Sequence, residues 1–139
     1  MIKLENITVA FGNKTVLSDI SLQISKGEIM VIIGPSGSGK STLLRLIIGL
    51  LKPTSGKVWV FDRDVTTMGE DELNVLRQHM GMVFQYSALF DSMTVGENVA
   101  FGLRQHTTLT ENEILSIVRR KLRMVGLWGQ ENTMPSELS

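Results

Sequence analysis

Residues 29–33, Ile-Met-Val-Ile-Ile, run directly into Gly34-Pro35-Ser36-Gly37-Ser38-Gly39-Lys40-Ser41-Thr42, and these into a mostly apolar stretch that reaches Leu51. A continuous apolar run predicts a strand covered on both faces, placed at the centre of a sheet. The nine residues after it fit the pattern G-x-x-x-x-G-K-[ST], and they lie between strand and helix, where that pattern has a mechanism. Glycines there permit the positive φ values and close backbone approach with which N–H groups wrap phosphate oxygens. The helix N-terminus beneath them adds partial positive charge. Lys40 is expected to reach the β- and γ-phosphates of a nucleoside triphosphate as a point charge, and the Ser41 hydroxyl to coordinate Mg2+. The bland alternative is a glycine-rich turn with an exposed lysine.

The flanks extend this reading. Ile2 and Leu4, then Ile7, Val9 and Phe11, alternate with polar residues, and Ile20, Leu22 and Ile24 do so again after Gly12-Asn13-Lys14. An antiparallel start with one solvated face is expected. The breaker Lys52-Pro53-Thr54-Ser55-Gly56 ends the helix that begins near Lys40, and Val58, Trp59, Val60 and Phe61 form the next strand candidate. The resulting β-turn-α-β order favours α/β architecture. A short helix from about Glu70 to Arg77 comes next, and then a strand over residues 80–84. Thr110 with Glu113 forms a capping box, and Ile114, Ile117, Val118, Leu122 and Val125 recur on one helical face until Gly126. The opposite face carries Arg119, Arg120 and Arg123, which either meet an acidic partner or offset the helix dipole.

Fourteen Lys and Arg balance fourteen Asp and Glu, so no net field draws nucleic acid or an anionic membrane surface. The phosphate site is therefore local, and nucleic acid is not expected as a partner. The absence of cysteine excludes a disulfide framework and a thiolate metal site. The start lacks the layout of a signal peptide, and no apolar stretch is long enough to span a bilayer, so a cytoplasmic location is expected.

Several short motifs recur in a familiar order. They are Val9-Ala10-Phe11-Gly12, the P-loop, Lys52-Pro53-Thr54-Ser55-Gly56 before a strand, Arg77-Gln78-His79-Met80-Gly81-Met82-Val83-Phe84-Gln85, and Pro135-Ser136-Glu137-Leu138-Ser139. Together they resemble the ATP-binding subunits of ABC transporters along the entire chain. The resemblance implies a P-loop NTPase of the ABC-type ATPase class, with an antiparallel β subdomain, a RecA-like core and a partial helical subdomain. Residues 1–85 would hold the first two and residues 86–139 the third. It also implies ATP and Mg2+. Phe11 would stack on adenine with Val16 packed beside it, where the residues alone read more simply as core. Gln85 would touch Mg2+ or the attacking water and lose that contact when the helical region rotates, where the residue alone reads as a solvated loop side chain. Leu138 and Ser139 would open the signature motif, with Ser139 facing ATP held by a second subunit.

Phe84-Gln85-Tyr86-Ser87-Ala88-Leu89-Phe90-Asp91-Ser92-Met93-Thr94-Val95-Gly96-Glu97-Asn98-Val99-Ala100, with Arg104-Gln105-His106-Thr107, is similar within that family to the ATPases of MCE-type lipid transporters, also called toluene-tolerance or lipid-asymmetry systems. The resemblance implies a homodimer of ATPase subunits joined to membrane permeases and an MCE-domain lipid-binding protein, peripheral on the cytoplasmic face of the inner membrane. Ala88, Leu89, Phe90 and Met93 suit either a groove that receives a permease helix or ordinary core under a loop. His79 and His106 precede the signature and are expected on the surface.

An apolar strand ending in Asp-Glu, which supplies the family's second metal ligand and general base, does not occur. The chain is accordingly read as a truncated N-terminal part that binds ATP without hydrolysing it. Such a truncation is expected to leave residues 29–33 and 80–84 without neighbouring strands. Two other classes compete: a nucleotide-binding or interaction fragment with no activity, and a soluble P-loop kinase or GTPase. A GTPase needs an N-K-x-D element and a D-x-x-G switch. Asn13-Lys14-Thr15-Val16 lacks the aspartate, and no D-x-x-G is present.

Overall fold

The computed structural model describes residues 1–85 and 88–138, so Tyr86, Ser87 and Ser139 lie outside the described residues. The chain divides into two compact units, Met1–Met82 and Val83–Ser139.

The first unit is built on β1 (Ile2–Phe11), which pairs antiparallel with β2 (Lys14–Ile24) on one edge and with β3 (Ser55–Val60) on the other. A two-residue β4 (Arg63–Asp64) completes the order β2-β1-β3-β4. The apolar alternation in β1 slips between Leu4 and Ile7, and the pairing with β2 shifts register at the same place. Asn6 absorbs the extra residue at φ 50, and its Nδ2 donates to Oδ1 of Asp19, also at φ 50, across the hairpin at 2.9 Å. With the slip absorbed, Leu4, Ile7 and Val9 all face the core.

One sheet face packs on two helices, α1 (Lys40–Ile47) and α2 (Glu70–Arg77). Leu43, Leu46 and Ile47 of α1 and Leu73 and Leu76 of α2 join Leu4, Ile7, Val9, Val58 and Val60 in one buried cluster. Each such side chain contributes about 1.5–3 kcal/mol when fully removed from water. The antiparallel start and α2 agree with the sequence reading. The P-loop helix is shorter than expected, because Ile48 leaves helical geometry and the amides of Leu50 and Leu51 turn back to the Arg45 carbonyl.

Residues 29–33 and 80–84 are not strands, which corrects the expectation of two buried central strands. Ile29, Val31 and Ile33 are 91%, 75% and 90% exposed, and Val83 is 95% exposed. A strand exists through its ladder, and among the described residues no segment pairs with either run. Apolar content alone supplies no hydrogen-bond partners. Among the described residues both runs stand unpaired.

The second unit holds α3 (Val95–His106) and α4 (Glu111–Met124), and after them a 3₁₀ turn at Pro135–Glu137. Val95, Ala100, Ile114, Val118 and Leu122 form its core. Val125, expected on the buried face, is 68% exposed because the helix stops one residue earlier. Both helices begin with a capping box, since the Glu97 amide donates to Thr94 Oγ1 at 3.2 Å and the Glu113 amide to Thr110 Oγ1 at 3.4 Å. Thr94 and Thr110 return their own amides to Glu97 Oε2 at 2.7 Å and Glu113 Oε2 at 2.8 Å. The turn between the helices is tied by Arg104, whose Nε and Nη2 meet the Glu111 carboxylate at 3.0 and 2.8 Å. On the basic face of α4, Arg119 lies 3.9 Å from Glu131. Returning chain also closes α3, where the amides of Val95 and Gly96 donate to the carbonyls of Thr133 and Glu131, each at 2.8 Å.

Backbone and side-chain bonds from Thr94 hold the Glu97 carboxyl below its usual range, and those from Thr110 do the same for Glu113. Depressed folded-state values mean that this stabilisation is complete above the unfolded carboxylate pKa. It is lost as pH falls through the folded one. Helix content by circular dichroism is expected to decline from roughly pH 5 to pH 3, and Glu113→Gln to flatten that decline. Thr110→Ala should cost about 1 kcal/mol in denaturant unfolding at neutral pH, and an unchanged midpoint would show that the cap contributes nothing.

Candidate nucleotide-binding site

The loop that precedes α1 is a tight turn, closed by the Ser38 amide on the Pro35 carbonyl at 3.3 Å. Gly37 sits at φ 79, and Gly39 at φ 95 is the N-cap of α1. A side chain at Gly39 has no room, since its Cβ would stand 2.7 Å from Leu17 Cδ2 and 3.3 Å from both Cγ1 and the carbonyl oxygen of Val16. Strand β2 therefore backs the loop directly.

A glycine N-cap brings no side-chain oxygen to the first turn, and no acidic residue lies in that turn. The first-turn amides of Lys40, Ser41 and Thr42 have no intrahelical acceptors, so the positive pole of α1 is left for an external anion. The other helices differ, for α2 begins with Glu70, Asp71 and Glu72, and α4 carries Glu111 and Glu113. Lys40 folds back across the loop. Its Nζ donates to the carbonyls of Gly34 and Pro35 at 2.7 Å each, with Ser38 Oγ at 3.4 Å. An ammonium held inside a ring of backbone groups is positioned to exchange those carbonyls for phosphate oxygens. Ser41 is exposed, Thr42 is half-buried, and Leu43 anchors the helix in the core.

Phe11 ends β1, is 53% exposed, and pairs in register with Lys14, so it is a surface ring and not a core residue. Val16 is half-buried on β2, in contact range of the Gly39 position. The loop, Lys40, Ser41, Phe11 and Val16 thus share one unit. Gln85 belongs to the other, where it is exposed. Leu138 is half-buried against the core of that second unit, and Ser139 lies outside the described residues. His79 and His106 are both exposed.

Among the described residues, no group of three or more His, Cys, Asp or Glu side chains could hold a metal ion. The Ser41 hydroxyl, exposed in the first turn of α1, is one of the oxygens available there, beside those of Ser36, Ser38 and Thr42. One hydroxyl suits Mg2+, which is commonly held through few protein oxygens together with substrate phosphates and water.

Two features are not legible in the sequence pattern as read above. Leu17 supports the loop from β2, and it falls out of phase with the alternation of Ile20, Leu22 and Ile24, so the pattern gives no signal for it. Asn98 organises the segment before α3, where its Nδ2 donates to the carbonyls of Phe90, Met93 and Thr94 at 3.1, 3.1 and 3.0 Å and its Oδ1 accepts the Phe90 amide at 2.8 Å. That arrangement leaves Leu89 and Phe90 45% and 46% exposed, with the Phe90 ring 4.7 Å from that of Phe101. Leu89 and Phe90 are accordingly not ordinary core.

A glycine loop on an uncapped helix, backed by an antiparallel sheet, defines a protein of the P-loop class. The ABC transporter family model matches residues 17–139, and the chain belongs to that family. It is 45% identical over 139 residues to the intermembrane phospholipid transport system ATP-binding protein MlaF of Haemophilus influenzae, covering 100% of this chain and 53% of that protein. Over 138 residues it is 42% identical to the probable ribonucleotide transport ATP-binding protein mkl of Mycobacterium leprae, covering 99% of this chain and 40% of that one. The dimeric post-hydrolysis structure of the ATP-binding cassette MJ0796, bound to ADP and Pi, matches at TM-score 0.90 and 35% identity, over 100% of this chain and 63% of that chain. The fold is that of an ABC-type ATPase cassette, and the chain spans about half the length of the curated relatives it matches. Among the described residues no helix is long and apolar enough to cross a membrane.

Lys40→Ala should weaken triphosphate binding about 100-fold, equivalent to roughly 2.7 kcal/mol, when Mg-ATP is titrated against the full-length protein. Undiminished affinity would separate the lysine from the phosphates. Gly39→Ala forces a Cβ into left-handed backbone against β2 and is expected to cost about 2 kcal/mol of stability, read by thermal or denaturant unfolding.

Proposed function

We propose that this chain is the nucleotide-binding part of an ATPase subunit that energises an ABC transporter, with phospholipid or another hydrophobic molecule as the transported substrate. The observation that carries the reading is the uncapped N-terminus of α1 with Lys40 folded over its loop, in a chain of the ABC transporter family. In this reading the first-turn amides and Lys40 bind and orient the β- and γ-phosphates, and Phe11 with Val16 receives the adenine. Ser41 and Gln85 would hold Mg2+, which supplies neutralisation of charge on the phosphate oxygens. Gln85 also orients water and responds when the helical unit moves.

Hydrolysis needs more than these residues offer. A general base contributes typically 10²- to 10⁴-fold, and the apolar strand ending in Asp-Glu that supplies it in the family is not in this sequence. In this reading these residues bind ATP, and hydrolysis is the activity of the ATPase subunit whose nucleotide-binding part they form. That protein pairs with a copy of itself through the signature that Leu138 and Ser139 begin, a reading supported by the dimeric structure of the bacterial ABC transporter cassette MJ0796. It sits on the cytoplasmic face of the inner membrane against permease subunits.

The lipid substrate rests on the phospholipid transport named for MlaF and on the segment around residues 84–100. Exposure of Leu89 and Phe90 favours a surface that receives a permease helix. The full-length protein is expected to co-purify with a permease and an MCE-domain protein, and Leu89→Asp to weaken that association without loss of folding. Recovery of an unrelated permease class would overturn the lipid assignment.

Gln85→Ala should lower turnover by about an order of magnitude with little change in ATP affinity, measured as kcat against Kd in the full-length protein. Phosphate release by the 139-residue chain beside the full-length protein tests the division between binding and hydrolysis. Sustained Lys40-dependent turnover by the shorter chain would refute it.

A further inference from the structure

Arg77, the last residue of α2, reaches across to the end of α1. Its Nε donates to the Ile48 carbonyl and its Nη2 to the Gly49 carbonyl, both at 3.0 Å. Its Nη1 donates at 3.0 Å to Glu70 Oε2 and at 3.0 Å to Asn74 Oδ1, so α2 itself fixes the direction of the fork. Ile48 is the C-cap of α1. The guanidinium thus occupies the negative pole of the same eight-residue helix whose positive pole carries Lys40 and Ser41.

The helices meet closely at this point, because a Cβ on Gly49 would stand 2.6 Å from Leu73 Cδ2 and 3.3 Å from Val65 Cγ1. The Arg77 side chain is 25% exposed, while Glu70 is 75% exposed, so the carbonyl contacts are the sheltered side of the arrangement. An exposed ion pair on its own holds little. Two carbonyl acceptors taken by one planar fork are different, since the rigid guanidinium fixes the direction of both bonds where an ammonium acts as a rotatable point charge. Beyond Arg77 the chain stays ordered by short turns, with the His79 amide on the Leu76 carbonyl and the Met80 amide on the Arg77 carbonyl, each at 3.0 Å. Met80 packs against the first core, and the sequence then runs on to Gln85.

We propose that Arg77 is a positioning residue that clamps the end of the phosphate-binding helix to α2, so that nucleotide arriving at one end of α1 changes the order of residues 78–82. An α-helix of two turns moves as a rod, and packed interfaces pass on displacement instead of absorbing it. The inference rests on the ATP reading given above, and it assigns Arg77 no contact with nucleotide.

The test compares hydrogen exchange of the full-length protein with and without a non-hydrolysable ATP analogue and Mg2+. In the unaltered protein the analogue is expected to slow exchange in residues 78–82. Arg77→Met should bind the analogue with little change in Kd, lose that protection, and lower kcat about ten-fold at constant KM. Arg77→Lys, which keeps the charge at the helix end, should recover part of kcat. Equal protection of residues 78–82 in Arg77→Met and the unaltered protein would overturn the proposal. So would a loss of kcat matched by an equal loss of affinity. If the unaltered protein shows no response to nucleotide, the ATP reading fails and the clamp is judged without ligand. Arg77→Met or, should it not fold, Arg77→Lys must then raise exchange at residues 48–51 and 78–80 together, and unchanged rates there would sink it.

Discussion

The first unit depends on the contact between Gly39 and β2. Left-handed backbone at this residue turns the chain into α1, and Val16 and Leu17 fill the space that a side chain would need. The same residue decides the electrostatics of the loop, because a cap without a side chain leaves the first-turn amides facing outward. Packing that would otherwise be ordinary sheet-to-helix contact thereby holds the phosphate loop in place. The sheet is in turn registered by β1, which is bonded along both edges and whose slip at Asn6 keeps Leu4, Ile7 and Val9 on one face.

Helix ends are treated differently according to what they do. The N-termini of α3 and α4 are closed with threonine and glutamate, which satisfies their amides internally and draws the two carboxyls below their usual range. The N-terminus of α1 is left open. Its C-terminus is closed by a local turn, with Gly49 at φ 70 and the amides of Gly49 and Leu50 on the carbonyls of Leu46 and Arg45, and Arg77 from another helix takes the Ile48 and Gly49 carbonyls beyond it. A helix with one pole open to an anion and the other fastened to its neighbour is suited to report occupancy, whereas the sealed helices are suited to hold a shape.

The second unit draws its order from polar groups around a small core. Asn98 gathers three carbonyls into one turn, Arg104 and Glu111 tie the helices, and Thr133 and Glu131 accept amides from the start of α3. Because Asn98 supplies the bonds that shape the turn, Leu89 and Phe90 stay half exposed there, outside the cluster formed by Val95, Ala100, Ile114, Val118 and Leu122.

Local chemistry was legible in the sequence. The P-loop pattern, the hairpin about Gly12, α2 and the Thr110 box come from spacing, turn residues and capping, all of which act over a few positions. The Thr94 box obeys the same rule and was equally readable. Partners distant in sequence were not, since nothing in the chemistry of Arg77 names the carbonyls it collects from the end of α1, and the nearer carbonyls that Asn98 gathers follow no capping pattern. Residues 29–33 and 80–84 mark the limit most sharply. Their apolar runs satisfy the pattern of a buried strand, yet a strand also requires neighbours to bond, and only the tertiary structure decides whether those are in place. The sequence by itself determined where the phosphate loop and the helix caps lie, because these are local geometry. The tertiary structure alone decided which helix pole stays open, which is clamped, and which apolar segments find a ladder, because each of those depends on groups brought together by packing.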